Sequence, residues 1–109
     1  MAAKPRVDFM AIHWYGGTNA TTFLAHVDAV YKKYAKPIWV TEFASADFTG
    51  GNPGGFPIEE VKAFIKAATT GLDQRSYVER YTWKSRPTSD ASMGTSGLWN
   101  DDGSLTELG

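Results

Sequence analysis

The sequence predicts an α/β fold of parallel β/α units, and three observations carry that reading. Apolar runs near residues 7–13, 38–43 and 77–83 have the length and composition of strands. Two amphipathic patterns of helical period, near residues 21–35 and 58–71, lie between them. The order strand, helix, strand, helix, strand is the one in which helices act as crossovers between parallel strands.

Each element has its own warrant. Val7-Asp8-Phe9-Met10-Ala11-Ile12-His13 is apolar on both parities, which suits a strand buried on both faces, and Gly16-Gly17 ends it. Asn19, Thr18, Thr21 and Thr22 offer N-caps for the first helix. Its apolar stripe is Phe23, Leu24, Val27, Val30, Tyr31 and Tyr34, and Pro37 blocks its continuation. Ile38-Trp39-Val40-Thr41-Glu42-Phe43 is rich in β-branched and aromatic residues, with Trp39 expected in the core. A glycine- and proline-rich loop, Gly50 to Pro57, follows. The second helix starts with Glu59 and Glu60 in its first turn, where the helix dipole favours negative charge. Its stripe is Val61, Phe64, Ile65, Ala68 and Leu72. The third strand is Tyr77 to Trp83; a polar segment, Ser85 to Gly97, and a turn at Asp101-Asp102-Gly103 close the chain.

Composition narrows the function classes. With 12 acidic and 11 basic side chains, a net charge of −1 gives no surplus cation for nucleic acid. No apolar run reaches the roughly 20 residues needed to span a bilayer, and residues 1–13 lack the core of a secretory signal. The absence of Cys excludes disulfides and thiolate chemistry. Only His13 and His26 are present, without zinc-ligand spacing, so no metal is expected. Gly50 to Gly55 lacks the pattern of a phosphate-binding loop.

Three strands and two helices close poorly on themselves, because a parallel sheet needs both faces covered. A (β/α)8 barrel takes about 250 residues, so the 109 residues correspond to under half of a barrel, or to an open sheet that self-associates through its edges.

In parallel β/α proteins ligands sit at the carboxyl ends of the strands. Those ends are His13-Trp14-Tyr15, Thr41-Glu42-Phe43 and Arg80-Tyr81-Thr82-Trp83. Glu42 is read either as a functional carboxylate in a partly dry site or as a structural cap of the following loop. Trp14 and Trp83 are either faces for stacking a sugar ring or ordinary packing. His13 is either a hydrogen-bond donor to substrate or a support for Glu42, or else a satisfied core histidine; Tyr15, His13 or Arg80 can supply Glu42 with a hydrogen bond or a charge. His26 and Trp99 are assigned to the helix surface and the C-terminal turn.

Four strings, Val7 to Gly16, Pro37 to Ala44, Val78 to Trp83 and Asp101 to Gly109, together resemble the carboxyl-terminal part of glycoside hydrolase family 128. Those proteins are (β/α)8-barrel endo-β-1,3-glucanases of a retaining clan. The resemblance implies that the three strands are the sixth to eighth of a TIM barrel and that Glu42 is the catalytic nucleophile. It implies that His13 and Tyr15 line the site and that Trp83 is a platform under the sugar, with Trp14 and Arg80 as further substrate-binding residues. It implies a β-glucan polysaccharide as substrate, no cofactor, and a secreted or cell-wall-associated protein.

The chain departs from that family in two respects. Retaining hydrolysis uses two carboxyl groups about 5–5.5 Å apart, and the family's acid/base comes from an Asn-Glu pair that does not occur here. Asp47, Glu59 and Glu79 are the chemically competent replacements, with Glu79 placed by alternation across the third strand from Arg80. Lys84 stands where an aromatic residue is expected after Trp83. The alternative function is therefore a non-catalytic glucan-binding module or an inactive fragment lacking the acid/base.

Overall fold

The computed structural model describes residues 6–109. Three parallel strands, β1 (Met10–Gly16), β2 (Ile38–Ser45) and β3 (Val78–Trp83), form a sheet in the order β1-β2-β3. Helices α1 (Ala20–Tyr34) and α2 (Ile58–Asp73) connect them. No described helix is long and apolar enough to cross a membrane.

Both helices cover the same face of the sheet. Phe23 and Val27 of α1 and Phe64, Ala68 and Leu72 of α2 form one buried cluster with Ile12, Ile38, Val40 and Phe43. Phe23 stacks on Phe43 with centroids 5.1 Å apart, and Phe64 meets both rings edge-on. Arg75, after α2, clamps Asp28 of α1 through Nε–Oδ1 (2.7 Å) and Nη2–Oδ2 (2.9 Å) bonds, the bidentate geometry that a guanidinium offers a carboxylate. Asn19 caps α1 by accepting from the Thr22 N–H (3.0 Å). Ala35 ends it in the left-handed region, φ 52°, with its N–H on the Tyr31 carbonyl.

The first strand differs from the apolar run at residues 7–13. It begins at Met10, whose N–H donates to the Pro37 carbonyl (2.8 Å), and it continues to Gly16 along the partners of β2. Asp8 bends away and accepts from the exposed Arg6. Within β1 only Ile12 is buried, because helices cover one face only. Trp39 leaves the core for the same reason. It lies half-buried on the helix-free face, stacked on Phe9 at 4.0 Å with the Arg80 guanidinium 5.2 Å from its ring centre.

Two bulges decide which side chains reach that open face. Ile12 pairs with Val40 and His13 with Glu42, which leaves Thr41 as an extra residue in β2. Strict alternation puts residues 40 and 42 on one face. The extra residue instead lets Val40 and Phe43 both face the helices, while Glu42 turns to the open side with His13 and Tyr15. The second bulge lies in β3, where Ile38 pairs with Val78 and Trp39 with Arg80. Glu79 is its extra residue and accepts from the Trp39 indole N–H (3.0 Å), so it lies beside Trp39 as Arg80 does, and not on the opposite side of the strand from Arg80.

Candidate functional site at the strand ends

Beyond the strands the chain builds a wall. The Asp47 N–H donates to the Ser92 carbonyl (2.8 Å), Gly54 N–H to Ala91 (2.7 Å) and Thr95 N–H to Gly54 (3.1 Å). These bonds tie the β2–α2 loop to the segment after β3. Gly55 has φ +105°, and a Cβ there would lie 2.6 Å from Thr95 Oγ1 and 3.2 Å from Met93 Cα, so only glycine allows this approach. The Trp83 indole N–H donates to the Ser96 carbonyl (2.8 Å) and the Ser96 hydroxyl to the Ser45 carbonyl (2.7 Å), anchoring a short 3₁₀ turn at Gly94–Ser96.

Glu42 stands at the carboxyl end of β2 with its side chain 36 % exposed. Tyr15 donates its phenol hydrogen to Oε1. His13 Nε2 lies 3.3 Å from Oε2, and Lys84 Nζ lies 4.0 Å from Oε1. The Tyr15 hydrogen bond is the largest influence holding the Glu42 carboxyl below its ordinary range; the charges of His13 and Lys84 act in the same direction against partial desolvation. Desolvation, together with the bond to Glu42, pushes the Tyr15 phenol up to about 12. The pair therefore consists of an ionised carboxylate and a neutral donor. An ionised carboxylate, oriented by two neighbours and open to solvent on one side, is equipped to attack an electrophilic carbon or to accept from a hydroxyl group.

The structure brings together Glu42, His13 and Tyr15 from the sequence-predicted set. It adds Lys84, whose ammonium contributes a charge where an aromatic ring was expected.

The other three stand elsewhere. Trp14 points to the helix layer, with its ring 5.5 Å from Phe23 and 5.6 Å from His26, and its indole N–H is buried without a partner. Arg80 covers Trp39, three residues before Glu42 along β2. Trp83 pairs opposite Phe43 and packs edge-on against it at 5.1 Å and against Phe64 at 6.1 Å. It shares with Tyr15 only the small cluster of Ala44, Ala46 and Met93. Being at the end of a strand did not say which face each side chain takes.

Asp47 is not a replacement acid. Its carboxylate accepts from the Thr49 hydroxyl and N–H and from Asn52 Nδ2 (2.7 Å), and these bonds hold it at about 2. A group ionised that firmly has no proton to give near neutrality. Glu59 lies exposed beside Lys62 (3.5 Å), and Glu79 is engaged with Trp39. Asp101-Asp102-Gly103 is a turn, with Gly103 at φ +87° and Asp102 accepting from the Ser104 N–H. Sequence reasoning missed Phe48 and Arg86, which flank Tyr15 and Lys84. The available signal was an aromatic residue inside the polar turn Asp47-Phe48-Thr49-Gly50.

All 109 residues match the family model described as glycosyl hydrolase catalytic core. The chain is 39 % identical to a family 128 (subgroup I) endo-β-1,3-glucanase from Amycolatopsis mediterranei solved in complex with laminaritriose; the match covers 86 % of this chain and 39 % of that one, with a TM-score of 0.71. A subgroup II endo-β-1,3-glucanase from Sorangium cellulosum is 31 % identical over 94 % of this chain and 39 % of its own, with a TM-score of 0.76. Alkali-sensitive linkage protein 1 of Schizosaccharomyces pombe is 33 % identical over 106 residues, which is 95 % of this chain and 19 % of that protein. The chain thus spans well under half the length of these relatives.

Proposed function

The chain belongs to the glycosyl hydrolase catalytic core family, of the family 128 type, and from that premise we propose that it carries the nucleophile side of a retaining β-1,3-glucan hydrolase. The observation that supports this most is the ionised Glu42, oriented by Tyr15 and His13 at the carboxyl end of the central strand. In this reading β1, β2 and β3 are the sixth, seventh and eighth strands of a (β/α)8 barrel, and the open face carrying Trp39 and Glu42 looks inward.

Glu42 attacks the anomeric carbon, the glycosidic C–O bond breaks, and a glycosyl ester forms. The departing oxygen takes a proton from a second carboxylic acid, borne by another β/α unit of the barrel, and water then releases the ester with that residue acting as base. Tyr15 keeps Glu42 ionised before attack, and His13 contributes to binding and to fixing Oε2. Trp83 acts as a buttress under the Tyr15 side of the site. A polymeric β-glucan substrate places this chemistry outside the cell.

The test is release of reducing ends from laminarin. In a full barrel that contains this chain, the parent should release sugar and Glu42→Gln should not, while laminarihexaose binding survives the substitution. Turnover retained by Glu42→Gln would remove the assignment of Glu42.

A second reading has a specific observation in its favour. Asp47 is held ionised and Glu79 is occupied, so neither supplies the second carboxylic acid. By itself the chain then acts as a glucan-binding unit: laminarihexaose binds and no reducing ends appear.

A further inference from the structure

We propose that Lys84 is a positioning residue of the Glu42 site: its ammonium faces Oε1 from the β3 side and favours return of the carboxylate when the glycosyl ester is hydrolysed. The proposal rests on the glucanase reading of that site.

The geometry is internal to the chain and does not depend on what flanks the sheet. The Lys84 N–H donates to the Phe43 carbonyl (2.9 Å), which fixes its backbone beside the residue that follows Glu42. From there Nζ stands 4.0 Å from Oε1, the oxygen that also accepts from Tyr15, while His13 addresses Oε2. The carboxylate is thus held by two side chains of β1 and by one from the segment after β3.

The neighbouring charges leave this cation to Glu42. Arg86, two residues on, donates to Asp90 through Nε (3.2 Å). Asp90 also accepts from the N–H groups of Ser92 (2.9 Å) and Met93 (3.0 Å). Among the described residues Lys84 has no carboxylate within 4.0 Å other than that of Glu42.

The three groups that face Glu42 differ in kind. Tyr15 is a neutral donor, and His13 is charged only while its ring is protonated. An ammonium carries its charge throughout the neutral range. It therefore favours the carboxylate over the ester at every pH at which the site works, with opposite effects on the two half-reactions. In the first, the carboxylate gives up its charge to a neutral ester, and the ammonium opposes the change. In the second, water adds to the anomeric carbon and the bond from that carbon to Glu42 breaks. Its electron pair returns to the carboxylate, and the water proton goes to the second carboxylate of the barrel. Charge then reappears on both oxygens of Glu42, where the ammonium stabilises it.

The experiment compares Lys84→Met, which keeps the carbon stem and the backbone bond to Phe43, with Lys84→Arg, which restores a cation. In the 109-residue chain, a 13C-carboxyl titration should show the Glu42 midpoint raised in Lys84→Met and returned toward the parent in Lys84→Arg. In a full barrel that contains this chain, dinitrophenyl β-laminaribioside, whose leaving group needs no acid, makes ester hydrolysis the slow step. Steady-state release of the phenol should fall about threefold in Lys84→Met, with an enlarged burst, and recover in Lys84→Arg. A Glu42 midpoint or a steady-state rate unchanged by Lys84→Met overturns the proposal, as does Lys84→Arg behaving like Lys84→Met. Glu42→Gln separates that failure from failure of the glucanase reading. If Glu42→Gln releases the phenol at the parent rate, the Glu42 reading falls and the Lys84 proposal with it; if it releases none, the Lys84 proposal falls alone.

Discussion

Tyr15 donates its phenol hydrogen to Oε1 of Glu42 from the neighbouring strand, in register with Ala44 rather than with Glu42 itself. The diagonal works because His13 already occupies the position opposite Glu42, so two side chains of β1 reach two oxygens of one carboxylate.

Tyr15→Phe should therefore raise the Glu42 pKa toward its ordinary value, because the largest influence depressing it is removed. A 13C-carboxyl NMR titration of the parent and variant reads the shift directly. An unchanged or lower Glu42 pKa in Tyr15→Phe contradicts the account of how this carboxylate is kept ionised.

Asp47 gives a pH dependence of stability. Its folded pKa of about 2 lies below the unfolded value, so its contribution is fully present above the unfolded pKa and is lost as pH falls through the folded one. The parent should be more stable than Asp47→Asn at pH 6, and the gap should close between about pH 5 and pH 2. Thermal melts of both proteins across that range check it; a gap that widens toward acid has the wrong sign.

Ala35→Gly should stabilise the chain. An L-residue in the left-handed region costs about 1–2 kcal/mol, of which the greater freedom of unfolded glycine returns part, leaving a net gain of about 0.5–1 kcal/mol. The melting temperature should rise by a few degrees.

Gly94→Ala should do the reverse. A Cβ at Gly94 would lie 2.4 Å from the Thr88 carbonyl oxygen and 3.0 Å from that of Gly54, which are backbone atoms that cannot swing aside. A cost of about 1–3 kcal/mol is expected from overpacking, with the loss of protection in hydrogen exchange confined first to residues 85–97.

Deleting Thr41 is the sharpest test of the β2 bulge. With Thr41 removed, Val40 still faces the helices and Glu42 still faces Tyr15, because regular alternation then gives the same result. A folded chain with a retained Tyr15–Glu42 contact by NMR is expected. Unfolding, or Glu42 turned to the helix side, shows that the register has been misread.

The order of elements was legible in the sequence because apolar runs such as Ile38 to Phe43 and the stripe Val61, Phe64, Ala68, Leu72 record burial, and burial is what periodicity reports. Strand ends alone left Tyr15, His13 and Arg80 as candidate partners of Glu42, and the first two are the ones that reach it. Bulges leave no such trace: nothing in Trp39-Val40-Thr41-Glu42 announces an extra residue, and nothing in Val78-Glu79-Arg80 does either. The sequence left Trp14 and Trp83 open between two roles for a related reason, since an indole suits a sugar face and a packed helix interface equally well. Phe48 and Arg86 were invisible because the walls that carry them are set by backbone bonds between loops about 40 residues apart.

Those loop-to-loop bonds constrain any change at this rim. The stretch after β2 and the stretch after β3 are laced together at Asp47, Gly54 and Thr95, with Gly55 fitted against Met93. An insertion in one unlaces the other, so a change of length in one stretch calls for a matching change in the other. Reshaping this rim means rewriting both stretches in step, while the sheet beneath them is free to stay as it is.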